Sequence, residues 1–475
     1  MTSTVPFYVA GRPETGPESL VVTHPFDGRE VGQTSYATAD QVEQAISAAA
    51  DVVDEFASGP IHLRAAALDH VSRRLAERAD EVAGLITAEN GKPIVWARAE
   101  VGRAVSTFRW AAEEARRFSG DLQRLDTDPA GAGRIALIAR VPRGPVLGIS
   151  PFNFPLNLVA HKVAPAIAVG APIVLKPAPS TPLSALLLGE LLAETALPAG
   201  AFSVLPIPND RAPGLVADPR LPVVSFTGSG PVGAQIRAAV PDKHVTLELG
   251  GNAAAVVCAD WTDLEWAATR IATFGMYQAG QSCVAVQRVI IHDTVYDRMA
   301  KLIGDKVGAL RQGDPFDETT DVGPVIDSAA AERIMAWVRA AQSAGAVALS
   351  PLPRDSSTLL PPMVFENVPP DCELWAEEVF GPVLVLARAT SDDEAFAMVN
   401  DSRYGLQAGV FTRDLATAFR AHRVLKVGGV IIGDVPSYRA DQMPYGGVKG
   451  SGVGREGVRS TMDDYTEPRL LVLPT

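Results

Sequence analysis

Cysteine is scarce in this chain: Cys258, Cys283 and Cys372 are the three cysteines among 475 residues. Three thiols do not form a disulfide framework in a chain of this length, so the reducing cytoplasm is the expected compartment. A lone cysteine is most often a small buried apolar residue, and we first interpret each of the three in that way. A reactive thiol therefore has to be argued from the residues around it.

Long apolar runs and blocks of basic residues are absent as well. No run reaches the roughly 20 apolar residues of a membrane helix, and the opening MTSTVPFYVAGRPETG has neither the basic nor the apolar region of a secretory signal. Because acidic and basic residues are mixed along a chain of net charge −13, we expect neither a nucleic acid nor a membrane as partner. No His and Cys cluster has metal-ligand spacing, so no catalytic metal is expected.

What the chain has in quantity is apolar sequence, 47% of its residues, which is enough for at least two packed domains. After Thr38, which forms a capping-box pattern with Gln41, apolar residues recur at helical spacing. A second helix is predicted from Leu68 to Ile86, with a stop at 90–93 (Asn-Gly-Lys-Pro). The N-terminal region is therefore predicted to be helical.

From about residue 136, short β-branched runs alternate with helix-like segments, and the alternation starts again after Gly250-Gly251. The candidate strands are VLGIS, PIVLK, FSVLPI, VVSF and VTLEL, then AAAVVC, VAVQRVII, GPVLVLA, AGVF and GGVII. Strands that are apolar throughout and alternate with helices are typical of a doubly wound parallel sheet. The predicted fold class is α/β, with two units of similar size.

Two stretches fit neither unit. Residues 119–142 have the pattern of a projecting hairpin, and the terminal YTEPRLLVLPT is an apolar strand. An unpaired apolar strand favours aggregation, so we expect it to pair, preferably with the hairpin of a partner subunit.

The segment SFTGSGPVGAQI contains glycines at Gly228, Gly230 and Gly233, between a predicted strand and a predicted helix. Such glycines let backbone N–H groups approach a pyrophosphate at a helix N-terminus, although tight turns use glycine too. The dinucleotide fingerprint expects an acid about 20 residues further on, where LELGGN supplies Glu248. Glu248 can equally be a general base whose pKa rises in a semi-buried site, and the residues alone leave both roles open.

Three further motifs carry side chains suited to a site. Asn153 in GISPFNFPLN can donate a hydrogen bond to a developing oxyanion, or it can cap the next helix. Lys176 in VLKPAPSTP can contact a ribose or phosphate, or it can be a solvated charge. Glu377 and Glu378 in WAEEVFGPV precede an aromatic turn, and paired acids there commonly end a helix. Taken singly, each of these side chains is more commonly structural, as a helix cap, a solvated charge or the end of a helix.

Taken together and in this order, PFNFP, VLKP, FTGS, LELGG, GQSC, EEVFGPV and PYGGVKGSGVGREG resemble the motifs of the aldehyde dehydrogenase superfamily, across essentially the whole chain. The resemblance implies a cofactor-binding α/β domain at 1–118 and 143–250, with 438–460 returning to it. It also implies a catalytic α/β domain at 251–437 and a small β oligomerisation element at 119–142 and 461–475. A homodimer or homotetramer is the implied assembly.

By this resemblance Cys283 is the nucleophile, which attacks an aldehyde to give a thiohemiacetal and, after hydride transfer, a thioester. Asn153 and the Cys283 backbone N–H hold the oxyanion. Glu248 becomes the base that activates a hydrolytic water, rather than a ribose ligand. Superfamily members that pass the acyl group to coenzyme A generally lack this glutamate, so water is the expected acceptor. Cys258 and Cys372 match no catalytic motif.

The expected cofactor is NAD or NADP. The residues predicted to contact it are Phe152, Lys176, Ser180, Gly228, Ser229, Gly233, Leu249, Glu378 and Phe380. Members of the superfamily that prefer NAD commonly carry Glu three residues after the lysine, where this chain has Pro179. Without that carboxylate, Lys176 and Ser180 can contact a 2′-phosphate. We therefore expect the enzyme to accept NADP, and the proline in place of glutamate favours NADP over NAD.

The aldehyde pocket is less well specified. Its predicted residues are Phe152, His161, Arg117 and Arg439, with Lys162 and Arg116 as further candidates, although a single arginine commonly forms a surface ion pair. SYRADQMPYGGVKG resembles the branch that acts on short hydroxy- or anion-bearing aldehydes, in which Arg439 can clamp a carboxylate, sulfonate or phosphonate. The alternatives are a semialdehyde dehydrogenase for a longer ω-carboxylate, a catalytically silent binding protein and a Cys-dependent hydrolase without nicotinamide.

Overall fold

The computed structural model describes residues 4–353 and 357–475, and its largest sheet has eight strands. These are β1 (Phe7–Val9), β2 (Arg12–Glu14), β7 (Val146–Ile149), β8 (Ile173–Lys176), β9 (Phe202–Val204), β10 (Val223–Thr227), β11 (His244–Glu248) and β19 (Gly452–Val453). Their order is β19-β11-β10-β7-β8-β9-β1-β2, and β7 to β11 run parallel. The predicted parallel strands of the first unit are confirmed.

The helices of this unit pack on the strands of the sheet and on one another. They are α1 (Ala39–Asp51), α2 (Val53–Ser58), α3 (Ile61–Glu77), α4 (Ala79–Asn90), α5 (Ile94–Arg117), α6 (Asn157–Val169), α7 (Leu183–Ala193), α8 (Ala212–Ala217), α9 (Gly230–Ala239) and α16 (Val458–Asp464). The Thr38 capping box is confirmed, and Gly91 ends α4 in the left-handed region at φ 76°. The single helix predicted from Leu68 to Ile86 is wrong, because the chain leaves helical geometry at Arg78 and starts α4.

The second unit contains a seven-stranded sheet in the order β14-β15-β16-β13-β12-β17-β18. Its strands are β12 (Ala254–Val257), β13 (Arg288–His292), β14 (Val347–Ala348), β15 (Met363–Glu366), β16 (Val383–Ala389), β17 (Gln407–Phe411) and β18 (Gly429–Ile432), of which β14 alone is antiparallel within the described chain. Its helices are α10 (Leu264–Met276), α11 (Tyr296–Gly308), α12 (Ser328–Ser343), α13 (Glu373–Ala376), α14 (Asp392–Asn400) and α15 (Leu415–Val424). The second predicted α/β unit is therefore confirmed as well.

A third, three-stranded sheet is formed by β5 (Gly120–Arg124), β6 (Arg134–Pro142) and β20 (Thr466–Pro474). β20 pairs antiparallel with β6 of the same chain along its whole length. The structure pairs the terminal strand with the hairpin of its own chain rather than with that of a partner, because β6 lies beside it, and the other side of β20 is an edge of the sheet. The domain boundaries drawn from the resemblance remain a prediction.

The N-terminal region begins with strands, which the prediction of helices missed. Besides β1 and β2, the strands β3 (Glu18–Thr23) and β4 (Glu30–Tyr36) form a separate two-stranded sheet. Each large sheet has its own apolar core. Within residues 4–353 and 357–475, no helix is long and apolar enough to cross a membrane.

Candidate active site

A cleft with a volume of about 730 Å³ lies at the carboxyl ends of β7, β8, β10 and β11 and extends to residues of the second unit. This is the edge at which ligands bind to doubly wound sheets. The predicted residues that line it are Phe152, Asn153, Lys176, Ser180, Gly228, Ser229, Glu248, Leu249, Cys283, Glu378 and Phe380. The motifs that carry the resemblance lie far apart in the sequence, and the structure brings their residues together at one cleft.

Cys283 follows a strained turn. The residues 278–280 have φ angles of 42°, 54° and 69°, so two non-glycine residues and a glycine in succession adopt the left-handed region. The Gln281 side chain then fastens the loop, since its Oε1 accepts a hydrogen bond of 2.8 Å from the Ile326 backbone N–H. The backbone that leads into Cys283 is therefore held in place.

The sulfur of Cys283 lies 3.0 Å from the hydroxyl oxygen of Tyr445. Burial raises the pKa of the Cys283 thiol to about 12, while the contact with Tyr445 lowers it. The carboxyl groups of Glu378 and Glu248 oppose ionisation of the thiol, and the Arg439 guanidinium favours it. The thiolate, which is the reactive form, depends on the groups that surround it.

Glu248 is the last residue of β11 and is buried, with 3% of its surface exposed. Neither carboxylate oxygen has a hydrogen-bond partner among the residues that the structure describes. Burial raises the pKa of this carboxyl well above its usual range, the Glu456 charge adds to the rise, and Arg439 and Lys162 oppose it. A carboxyl of this kind, which lines the cleft without a protein partner, is suited to exchange a proton with a water molecule.

Asn153 points toward the nucleophile loop, because its Nδ2 donates a hydrogen bond of 2.9 Å to the Gln281 carbonyl oxygen. It does not cap α6. That helix begins at Asn157 without a side-chain cap on its own N-cap residue, and Glu100 accepts the backbone N–H groups of Leu156 and Asn157 instead, at 3.0 Å each. The capping alternative for Asn153 is therefore excluded.

At the opposite end of the cleft, Lys176 ends β8. Its Nζ donates a hydrogen bond of 2.8 Å to Asn209 Oδ1, and burial lowers the pKa of the ammonium group to about 8. No carboxylate within the described ranges forms an ion pair with it, and Pro179 and Ser180 line the same part of the cleft. A buried cation without a counter-ion fits a negatively charged group such as a phosphate.

The N-terminus of α9 borders the middle of the cleft. Ser229 is its N-cap residue and makes no side-chain cap hydrogen bond, which suits an anion at the free backbone N–H groups. Gly233 does not line the cleft. A Cβ at Gly233 would lie 2.5 Å from Leu249 Cδ2, so this glycine serves the packing of the helix against the chain that follows β11.

Glu378 and Phe380 reach the cleft from the second unit. Glu378 Oε1 accepts a hydrogen bond of 2.9 Å from the Gly251 backbone N–H, and burial raises the pKa of this carboxyl to about 7. A Cβ at Gly250 would lie 2.3 Å from Glu378 Oε2, so a larger residue there would displace the carboxyl group. Phe380 has a left-handed φ of 49° and packs edge-to-face on Phe152, with 5.9 Å between ring centres.

Arg439 and His161, two of the residues predicted for the aldehyde, lie near the thiol but are buried behind the cleft lining. The Arg439 guanidinium sits 3.8 Å over the Tyr445 ring and 3.4 Å from Glu456. His161 Nε2 lies 3.3 Å from Asp441, and burial lowers the pKa of the imidazole to about 4. His161 is therefore neutral at physiological pH.

The other basic candidates are occupied elsewhere. Arg117 is exposed at the end of α5 and forms an ion pair with Glu114, and Arg116 binds Asp69. The structure does not bring either arginine to the cleft. Lys162 is fully buried on α6 and donates to Ser225, Thr227 and Glu456, so it lies in the interior between α6 and β10.

Three residues around the site were not singled out from the sequence. Tyr445 contacts the thiol, Asn209 contacts Lys176, and Arg103 on α5 forms an ion pair of 3.0 Å with Asp441. Tyr445 lay within a motif already used for the resemblance. For Asn209 and Arg103 the sequence has no local signal, because each is defined by a contact with a distant residue.

The family model "Aldehyde dehydrogenase family" matches residues 12–471. The chain belongs to the aldehyde dehydrogenase family. It is 40% identical to 3-sulfolactaldehyde dehydrogenase of Priestia aryabhattai over 469 residues, which cover 98% of this chain and 97% of the relative. The enzyme is therefore an oxidoreductase that acts on aldehydes with NAD(P).

Solved structures agree with this assignment over the whole chain. Aldehyde dehydrogenase 21 from Physcomitrella patens, in complex with its reaction product succinate, has a TM-score of 0.97 and 41% identity, covering 100% of this chain and 99% of that one. NADP-dependent glyceraldehyde-3-phosphate dehydrogenase from Bacillus halodurans, complexed with NADP, has a TM-score of 0.95 and 34% identity, covering 100% of both chains.

Proposed function

We propose that the enzyme oxidises a short aldehyde that carries an anionic group or a hydroxyl, through a thioester on Cys283 that water cleaves. The observation that carries the catalytic part is the meeting of Cys283, Glu248 and Asn153 at one cleft. The substrate class rests on the charges behind the thiol. The enzyme is proposed to act in the cytoplasm.

In the first half of the reaction, the Cys283 sulfur attacks the carbonyl carbon, and the carbonyl π electrons move to oxygen. The Asn153 side-chain amide donates a hydrogen bond to that oxyanion, since it lies beside the nucleophile loop. When bound, the nicotinamide accepts the hydride. In the second half, Glu248 takes a proton from the water that attacks the thioester, and the sulfur leaves as the thiolate.

The residues proposed to hold the cofactor extend along the cleft. Lys176 and Ser180 suit the adenosine ribose and its 2′-phosphate, the N-terminus of α9 at Ser229 suits the pyrophosphate, and Glu378 suits the nicotinamide ribose. The unpaired ammonium group of Lys176 beside Pro179 favours NADP, because a phosphate provides the counter-ion that the protein lacks.

Two cations, Arg103 and Arg439, lie behind the thiol. Two carboxylates, Asp441 and Glu456, pair with them, and the pKa of each carboxyl is held at about 2. Arg103 is the more exposed of the two cations, so an anionic group on the aldehyde can pair with it. This favours a charged substrate over a neutral one.

Arg103 is proposed to face that anion together with Arg439. It is 29% exposed at its side chain, and its guanidinium lies 5.9 Å from the ring centre of Phe154, next to Asn153. The relative named for 3-sulfolactaldehyde and the neighbour with bound succinate both support an anionic substrate.

The test is reduction of NAD and NADP, measured in parallel by absorbance, with propanal, lactaldehyde, succinic semialdehyde and C2 and C3 aldehydes bearing sulfonate or phosphonate. We expect the short charged aldehydes with NADP to give the highest kcat/KM. Arg103→Met is expected to raise KM for them by about tenfold to a hundredfold, since a hydrogen bond to a charged group contributes about 1.5–3 kcal/mol. Propanal should be little affected.

Arg117→Met is the matched control, because Arg117 is exposed and lies away from the cleft. Equal losses for propanal and the charged aldehydes would contradict the role of Arg103. A preference for succinic semialdehyde would favour the longer ω-carboxylate. A requirement for coenzyme A would exclude water as acceptor, and a kcat/KM about tenfold higher with NAD, or about 1.4 kcal/mol, would contradict the cofactor preference.

A further inference from the structure

Tyr445 is held rigidly against the nucleophile. Its hydroxyl oxygen lies 3.0 Å from Cys283 Sγ, and 4% of its surface is exposed. Its backbone N–H donates to the Glu456 carbonyl at 2.8 Å, and its carbonyl accepts the Glu456 N–H at 2.6 Å. Its ring packs in a small apolar cluster with Val284 and Leu406. The hydroxyl is therefore fixed at the sulfur.

Arg439 acts on the same ring. Its guanidinium lies 3.8 Å from the ring centre of Tyr445 and is held on its other side by Glu456. A cation over the face of a phenol withdraws electron density from the ring and makes the O–H a stronger donor. Because a thiol is a weak donor, the hydrogen bond runs from the Tyr445 hydroxyl to the Cys283 sulfur.

We propose that Tyr445 is a further catalytic residue, whose hydroxyl donates a hydrogen bond to the Cys283 sulfur and stabilises it as the thiolate. The inference rests on the proposed role of Cys283 as the nucleophile. It also gives Arg439 a second task, which is to polarise the Tyr445 ring.

The Cys283 thiol first gives its proton to a water molecule in the open cleft, and the tyrosine keeps its own proton throughout. When the thiolate attacks, a sulfur lone pair forms the C–S bond, the carbonyl π pair moves to oxygen, and the hydrogen bond to sulfur weakens. When water attacks the thioester, Glu248 takes the water proton, the C–S pair returns to sulfur, and Tyr445 donates to the departing thiolate. Tyr445 thus assists both the formation of the nucleophile and its release. Burial and the nearby thiol hold the pKa of the phenol well above its usual range, so it remains a donor.

The charged groups that face Cys283 divide into two sets. Glu248 and Glu378 oppose the thiolate, while Arg439 and the Tyr445 hydrogen bond favour it. The hydroxyl of Tyr277, on the preceding turn, donates to Ser282 rather than to the sulfur. Tyr445 is thus the one neutral donor to the thiol among the described residues, and its removal has no local substitute.

The experiment compares Tyr445→Phe with the parent enzyme. Alkylation of Cys283 by iodoacetamide is followed by peptide mass spectrometry across pH, with and without NADP. We expect the midpoint of the pH profile to rise by about one to two units in the variant, because a hydrogen bond to a charged group is lost. The rate of alkylation at neutral pH should fall by about tenfold to a hundredfold, and kcat should fall as well.

Tyr296→Phe is the matched control, because it also removes a tyrosine hydroxyl bonded to a protein group, here Glu366 at 3.1 Å, away from the cleft. Its alkylation profile should match the parent's. An unchanged profile in Tyr445→Phe would overturn the proposal. If KM for hydroxy aldehydes rose in that case, Tyr445 would be a substrate contact instead.

A second replacement keeps the test valid if Tyr445→Phe does not fold. 3-Fluorotyrosine at position 445 is a stronger donor of similar shape, and it should move the alkylation midpoint downward. An unmoved or higher midpoint would count against the proposal. Failure of the proposed function is distinguishable from both results, because Cys283→Ala would then still reduce NADP.

Discussion

At the residue scale, the chemistry of Glu248 follows from its lack of partners. Both carboxylate oxygens are buried without a protein hydrogen bond in the described part of the chain, and the pKa of the group is raised well above its usual range. In most proteins a buried carboxyl is paired, because leaving it unpaired is costly. Here the free lone pairs suit a water molecule, and the raised pKa makes the carboxylate a stronger base.

Glu248→Gln is expected to separate the two halves of the reaction. Hydride transfer does not need this base, so one equivalent of NAD(P)H per site should still form in a rapid burst. Steady-state turnover should then fall by about a hundredfold or more, since a positioned general base commonly contributes about that much. Rapid-mixing absorbance measures both phases. Glu318→Gln, an exposed substitution at an ion pair with Arg98, is the control, and loss of the burst itself would contradict this role for Glu248.

The sequence predicted individual site residues unevenly. Cys283, Glu248 and Asn153 lie in short motifs with glycine, proline or aromatic neighbours, and these motifs made the resemblance specific. Tyr445 contacts Cys283, which lies 162 positions away in the sequence, and Arg103 contacts Asp441, which lies 338 positions away. No local pattern encodes such a contact. Arg117 was a plausible cation in the sequence, but its place at the exposed end of α5 gives it a different partner.

At the element scale, the C-terminal end of α4 supports the loops of the site. Glu89 accepts hydrogen bonds from the Leu183 and Ser184 backbone N–H groups at the start of α7, at 2.7 and 3.0 Å. Asn90 Nδ2 donates to the Phe152 carbonyl at 2.8 Å. The N-terminus of the helix that follows Ser180 is therefore tied to a buried carboxyl rather than to a local cap.

The Glu89 anchor predicts a pH dependence of stability. Burial raises the pKa of Glu89 from 4.5 to about 7 in the folded protein, so folding favours its protonated form. The contribution of Glu89 to the unfolding free energy is therefore full below pH about 4.5 and falls as the pH rises to about 7. When the pH rises from 5 to 8, the unfolding free energy of the parent protein should fall more than that of Glu89→Gln, by up to about 3 kcal/mol.

Urea unfolding at the two pH values measures this difference. Glu77→Gln, at an exposed position on α3, is the control and should follow the parent protein. Parallel pH profiles for the parent and Glu89→Gln would show that the carboxyl does not carry a raised pKa in the folded state.

The strands that are buried on both faces of a sheet were the elements predicted best. β7 to β11 in the first sheet and β12, β13, β16 and β17 in the second are buried along most of their length, and continuous apolar runs predicted them. β15 is buried too but was missed, because its apolar run is only three residues long. β2 and β3 are short and largely exposed, so they leave little pattern in the sequence. The break at Arg78 was missed because the apolar spacing continues across it and the chain has no glycine or proline there.

At the scale of the whole molecule, the three-stranded sheet stands apart from both cores and carries exposed apolar residues. Leu122 on β5 is 62% exposed, and Leu470 and Leu471 on β20 are 61% and 53% exposed. Side chains of this kind along a sheet are usually covered by another surface. We propose that copies of the chain assemble through this sheet, as a dimer or a tetramer.

The double variant Leu122→Glu and Leu470→Glu should shift the assembly toward smaller species, because it places charges where apolar contacts are proposed. Light scattering after size-exclusion chromatography measures the mass. Leu63→Glu, on the exposed side of α3 at 47% exposure, is the control and should leave the mass unchanged. A parent protein that is already monomeric, or a double variant of unchanged mass, would contradict the proposed surface.

The hydrogen bond between Asn153 and the Gln281 carbonyl joins the loop after β7, beside the first hydrophobic core, to the nucleophile loop beside the second. The reacting groups therefore keep their geometry only while the two cores hold their relative position. A small slip between the cores moves the amide away from the sulfur without exposing apolar surface in either of them. Heat can accordingly inactivate the enzyme below the temperature at which it unfolds, and a dinucleotide lying along the cleft, by bridging both cores, protects the activity more than it protects the fold.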